Sequence, residues 1–280
     1  MRHFQRSYFC SIWLIAFNET FMPAGKAHIL NPTAVVWHEA LMGRRKENII
    51  DTFYAFFLTV RDIENVTLWL DNCSAQNKNW TLYCFFIYLI NSNETALKTL
   101  ELKYFEPGHT FMAADAFHHQ VEASLKRKGR VYDFADFVDA VQKARRTSNV
   151  IQMILEKMFA WRDGTSQYKL KKIIPRPYLS EMVQVTFSRG HNTLTYKTSF
   201  EEESGTEINI LNAHDHKHGI RKPENQLQYR GISSERKRTL LNKLSPIIPP
   251  LRLLFWETLP ETVNEEPLTD ELYFYEYFLY

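Results

Sequence analysis

The chain has 280 residues, 45% hydrophobic and 24% charged, with 34 basic against 32 acidic side chains and a formal net charge of +2. That balance fits a globular chain of one or two domains; it excludes a disordered, fibrous or membrane-spanning protein, and the overall field is too weak to argue by itself for a nucleic-acid partner. Three cysteines, Cys10, Cys73 and Cys84, are too few for a disulfide framework and too scattered for a Cys-x-x-Cys zinc site, which favours a reducing nuclear or cytoplasmic compartment.

The apolar runs 9–17 and 80–90 fall well short of the roughly 20 residues a bilayer-crossing helix needs, so both read as core and no membrane role is expected. A signal peptide is the rival reading of the first, because Arg2 and Arg6 precede it, but Asn18 and Glu19 follow at once. Residues 8–17 and 34–38 carry the aromatic and β-branched side chains of buried strands. Over 44–60, Ile49, Ile50, Phe53, Phe56, Phe57 and Val60 form one helical face.

Residues 66–70 give the clearest strand, ending at Asp71-Asn72-Cys73-Ser74. A helix over 76–90 follows, with Asn72 or Ser74 as its cap. The alternation of Leu100, Leu102 and Tyr104 predicts a strand over 97–105, nearer the sheet edge, ended by Pro107-Gly108. Helices are expected over 114–128 and from 134 to 141, the latter with an acidic first turn. The segments 183–187 and 193–198 flank Ser188-Arg189-Gly190 as a hairpin, and a helix over 235–244 precedes Pro246, Pro249 and Pro250.

The expected fold class is therefore α/β, a mixed sheet flanked by helices over 1–162, with a smaller α+β C-terminal region over 163–280 and a boundary near 162–168. Such sheets hold their sites at strand C-termini. Asp71 ends the best strand, and Asp115 with Glu122 lies after the next one. Carboxylates gathered in this way can hold two Mg²⁺ or Mn²⁺ ions, because hard cations take oxygen ligands and two-metal phosphoryl transfer places one ion on each reacting oxygen. An Asp after a strand is also a common turn or cap residue.

His38-Glu39 with His109, His118 and His119 offers a histidine-rich zinc alternative, although His118 and His119 point about 100° apart on a helix. Core or solvated histidines are the plainer reading. The run His214-Asp215-His216-Lys217-His218 looks metal-binding in composition and is expected in an exposed polar loop. Two basic stretches, 126–130 with Lys143, Arg145 and Arg146, and Arg236-Lys237-Arg238 with Lys243, could neutralise phosphates or simply end helices.

The string from Leu70 to Asn79, then Pro107-Gly108-His109-Thr110, then Ala114-Asp115-Ala116-Phe117-His118 with Glu122, resembles an uncharacterised domain common in transposon-derived animal proteins. Trp37-His38-Glu39 with Gly43-Arg44-Arg45 matches it upstream, and Gly231-Ile232-Ser233 with Phe255-Trp256 is similar to the family's C-terminal portion. The resemblance implies an RNase H-like fold, that of DDE transposases and retroviral integrases. By similarity Asp71 would be the second metal ligand and Asp115 or Glu122 the third. Asn72, Gln76, His109 and His118 would line the same pocket.

The first acid of that family would lie on a strand upstream of Met1. Glu39 is its possible substitute, and Glu39 or His109 would orient water. The resemblance implies a nucleic-acid-associated protein, binding DNA or RNA, with a residual Mg²⁺ or Mn²⁺ pocket and impaired catalysis. The rivals are an active divalent-metal nuclease or transposase and a protein-interaction module using the aromatic tail at 273–280.

Overall fold

The computed structural model describes residues 14–24, 30–72, 77–106, 113–161, 177–263 and the backbone of 276–279. In chain order it runs β1 (Leu14–Phe21), β2 (Thr33–His38), α1 (Lys46–Phe57), β3 (Asn65–Leu70), α2 (Trp80–Asn91), β4 (Thr99–Tyr104), α3 (Ala113–Lys128), α4 (Phe134–Ala144) and β5 (Asn149–Gln152). There follow β6 (Gln184–Ser188), β7 (Leu194–Lys197), β8 (Thr206–Ile208), α5 (Ala213–His218), β9 (Ile232–Ser233), α6 (Ser234–Leu244), α7 (Pro250–Glu257), β10 (Glu261–Thr262) and β11 (Glu276–Leu279). The fold is α/β, with mixed sheets and flanking helices.

The chain divides into two units, one of residues 1–43, 112–156 and 227–280, the other of 44–111 and 157–226. The boundary expected near 162–168 lies outside the described residues, and the C-terminal stretch expected as an appendage contributes α+β segments to both units. Pairings between segments far apart in sequence decide this division, and no local composition shift reports them.

In the first unit the sheet order is β11-β1-β2-β5. Strand β1 runs antiparallel to β2, from Ala16 opposite His38 to Phe21 opposite Thr33, and β2 runs parallel to β5. Thr33 through Trp37 of β2 are all buried, which is why this strand reads as a continuous apolar run and not as an alternation. Phe117 and Val121 of α3, Phe137 and Val141 of α4, Leu240 and Leu244 of α6 and Trp256 of α7 complete one core with Leu14, Ala16, Ala34 and Val36. Each large side chain removed from water there contributes about 1.5–3 kcal/mol. Asp133 caps α4 through the Asp136 amide at 3.0 Å. Gly231, at φ 73°, must be glycine: a Cβ would stand 2.8 Å from the Glu261 carbonyl carbon, where β9 meets β10.

In the second unit the order is β3-β4-β6-β7-β8. Strands β3 and β4 are parallel, Asn65 opposite Thr99 through Leu70 opposite Tyr104, and α2 is the crossover that parallel pairing demands. Strand β4, expected near the edge, is interior, because β6 pairs along its other side from Thr99–Ser188 to Lys103–Gln184. Helix α2 starts at Trp80, later than expected, since Asn79 and not Asn72 accepts the Leu82 amide at 2.8 Å; Ser74 lies outside the described residues. Phe53 and Phe57 of α1 meet Phe86 of α2 edge-to-face at 5.6 and 6.1 Å, and Phe86 also packs on Phe187 of β6.

One carboxyl lies inside this aromatic core. Asp51 is fully buried and accepts the Phe159 amide at 3.1 Å and the Trp161 indole N–H at 2.7 Å. Burial pushes its pKa well above the ordinary carboxylate range, against the lowering effect of those two donors.

Candidate functional site

Asp71 and Asn72 stand immediately after β3, at the C-terminal end of the parallel β3-β4 pair, the place where α/β sheets collect ligands. The Asn77 side-chain Nδ2 donates to Asp71 Oδ1 at 2.5 Å. Asn77 is itself held from β4, because the Tyr104 hydroxyl donates to its carbonyl at 2.7 Å. That use of the Tyr104 proton makes the Tyr83 hydroxyl the donor in the 3.0 Å bond between the two tyrosines. Asn72 Nδ2 donates to the Phe105 carbonyl and ties the two strand ends together. Asn72 Oδ1 is buried with no hydrogen-bond partner among the described residues.

Lys78 is 4% exposed, donates to the Ser180 carbonyl at 3.3 Å and lies 4.4 Å above the Tyr104 ring. Burial lowers its pKa to about 8. Asn77, Lys78 and Tyr104 are the residues that sequence reasoning missed. Asn77 and Lys78 were inside the motif, but only the fold brings Tyr104 beneath them.

An aromatic surface flanks Asp71. Trp69 is two residues earlier in the chain, on the exposed face of β3. Its ring is 45% exposed, with Phe105 at 5.2 Å and the half-exposed Phe200 at 6.3 Å between centroids, and Lys103 Nζ 5.8 Å from its own centroid.

The other expected site residues belong to the first unit or lie outside the described residues. Gln76 and His109 are in the latter group, as are Cys10, Cys73 and the side chains of the 273–280 tail. Asp115 is in the first turn of α3, half-buried. Glu122, two turns on, faces His119 at 3.6 Å with its side chain 41% exposed. His118 is 6% exposed, and burial lowers its pKa to about 4 although Asp115 opposes the shift. Asp71 belongs to one unit and Asp115 and Glu122 to the other. No group of three or more His, Cys, Asp or Glu side chains that could hold a metal ion occurs among the described residues.

Glu39 is committed elsewhere. It is fully buried, accepts the Ile15 amide at 2.8 Å and hydrogen bonds from both terminal nitrogens of the Arg236 guanidinium, at 2.5 and 2.8 Å, with Arg230 at 3.9 Å. A carboxylate so neutralised forms a buried ion pair. His38, beside it, packs edge-on to Phe134 and Phe255 at 4.9 and 5.6 Å, and burial lowers its pKa to about 4. Its Nδ1 is buried with no hydrogen-bond partner among the described residues.

The second basic stretch is also largely structural: Arg236 serves Glu39, and Lys237 serves Glu261 at 2.9 Å and the Leu259 carbonyl at 2.8 Å. In the first stretch Lys128 and Lys143 pair with Asp136 and Asp139, while Lys126, Arg127 and Arg146 are exposed. Among the described residues no helix is long and apolar enough to cross a membrane.

The sequence profile of a family described as a domain of unknown function (DUF7869) matches residues 52–211, enclosing Asp71, the Asn77-Lys78 pair and strands β3 and β4. No curated protein and no solved structure matches the chain. With more than half of its length matched, the chain belongs to the DUF7869 family.

Proposed function

We propose that this is a transposon-derived, RNase H-like protein that retains a Mg²⁺ or Mn²⁺ pocket at Asp71, associates with nucleic acid beside it, and does not complete phosphodiester cleavage. The observation that carries the reading is the juxtaposition at the end of β3 of an oriented carboxylate, Asp71 held by Asn77, with an exposed Trp69-Phe200 surface. Aromatic rings of this kind stack on unpaired bases irrespective of sequence, at about 1–3 kcal/mol per base. Further support comes from the β3-α2-β4 crossover, whose parallel strands end at Asp71. What supports the impairment is the commitment of Glu39, the one candidate substitute for the first acid, to Arg236 and Arg230.

Fluorescence anisotropy with labelled single-stranded DNA and RNA tests the association. Trp69→Ala should weaken binding by roughly fivefold to a hundredfold, the equivalent of one lost base stack. Unchanged affinity in a folded Trp69→Ala protein would remove the nucleic-acid assignment.

A further inference from the structure

The histidine run expected in a loop is instead the helix α5, and the helix converts a composition into a geometry. Asn212 caps it through the Asp215 amide at 2.8 Å. Asn192 of the β6-β7 hairpin fixes it from outside, by donating to the His216 carbonyl at 2.9 Å. His214 and His218 are therefore four residues apart on one exposed helical face, with ring centroids 4.9 Å apart.

That separation is meaningful. Imidazole nitrogens bind zinc at about 2.0–2.1 Å with roughly tetrahedral angles, which places the centroids of two rings on one ion about 5 Å apart. Asp215 adds the outer partner such sites use. His214 Nδ1 is 3.2 Å from Asp215 Oδ1, and Asn212 Nδ2 anchors the other carboxylate oxygen at 2.6 Å. An Nδ1–H donated to that carboxylate fixes the tautomer and leaves the Nε2 lone pair for a ligand. His216, two residues from each, is on a different face.

We propose that His214 and His218 form a two-histidine chelate for a borderline divalent transition ion of the zinc, nickel or copper type, oriented by Asp215, with water completing the coordination. Imidazole donors select such ions over Mg²⁺, which takes oxygen ligands. The site is chemically distinct from the Asp71 pocket and does not depend on it.

The test is calorimetric titration of the untagged full chain with Zn²⁺ and, separately, Ni²⁺, alongside His214→Ala, His218→Ala, His218→Gln, His216→Ala and Asp215→Asn. Either single loss at 214 or 218 should weaken binding at least about tenfold, and Asp215→Asn by a smaller factor, as outer-partner losses do. His216→Ala should bind as wild type, and Mg²⁺ should not compete. Electron paramagnetic resonance of bound Cu²⁺ should report two nitrogen ligands in wild type and one in each single variant, a readout that loss of helix alone would not mimic. His218→Gln keeps helix propensity and separates ligand loss from unfolding. Equal binding by wild type and the 218 variants, an equal loss in His216→Ala, or no Zn²⁺ binding at all would overturn the proposal.

Discussion

Arg236→Met removes the principal counter-charge of Glu39 and leaves its carboxylate fully enclosed. Breaking a buried pair by deleting one partner costs about 3–5 kcal/mol, because the remaining ion is uncompensated in a low-dielectric site. Two features place this case near the lower end: the Ile15 amide still donates to Glu39 at 2.8 Å, and Arg230 remains 3.9 Å away. The expected loss is therefore about 3 kcal/mol. Glu39→Gln keeps an acceptor for Ile15 and leaves a partly solvated Arg236, so it should cost about 1–3 kcal/mol. The double variant should cost far less than the sum, since replacing both members of a buried pair is often nearly neutral. Urea denaturation is the appropriate assay, because guanidinium would screen the charges being measured. Trp37 and Trp256, both in the first unit's core, report locally by fluorescence. A loss below about 1 kcal/mol for Arg236→Met, or additive costs in the double variant, would refute the assignment of Glu39 to a structural pair.

Other consequences concern the buried titratable groups. Asp51→Ala strips acceptors from the Phe159 amide and the Trp161 indole and should destabilise the second unit by about 2–4 kcal/mol, checked by urea denaturation with Trp161 emission; a change within 0.5 kcal/mol, the usual scatter of surface substitutions, would contradict that role. For His118, a folded pKa of about 4 against an ordinary 6.5 means the unfolded chain binds the extra proton between those values. Its contribution is complete above pH 6.5 and falls away as the pH drops toward 4, by about 3 kcal/mol in all. His118→Gln should flatten that acid limb in a pH series of denaturation midpoints, and His38 contributes in the same direction.

Much of the architecture was legible where local chemistry decides it. Val66, Leu68 and Leu70 marked β3 to within a residue, the Phe53-Phe57 face marked α1, and Asp133 marked the start of α4. What the sequence hid depends on distant partners. The interior position of β4 comes from β6, more than 80 residues later, and alternation along one strand says nothing about how many neighbours it has. Glu39 read as a candidate ligand because its neutraliser, Arg236, is 197 residues away. The histidine run became a helix through one side chain, Asn212, whose capping role is easily overlooked in a polar stretch. The position of Asp71 directly after a strand was legible because that strand is a strong local signal; the Asn77-Tyr104 hydrogen bonds around it were not.

The most direct test of the account is Mn²⁺ titration by calorimetry of wild type and Asp71→Ala, run beside metal-dependent nicking of labelled DNA and RNA with wild type and Glu39→Gln. The account predicts Mn²⁺ binding that Asp71→Ala abolishes, and no nicking by any of these proteins. Metal binding indifferent to Asp71, or cleavage that Glu39→Gln removes, would contradict it.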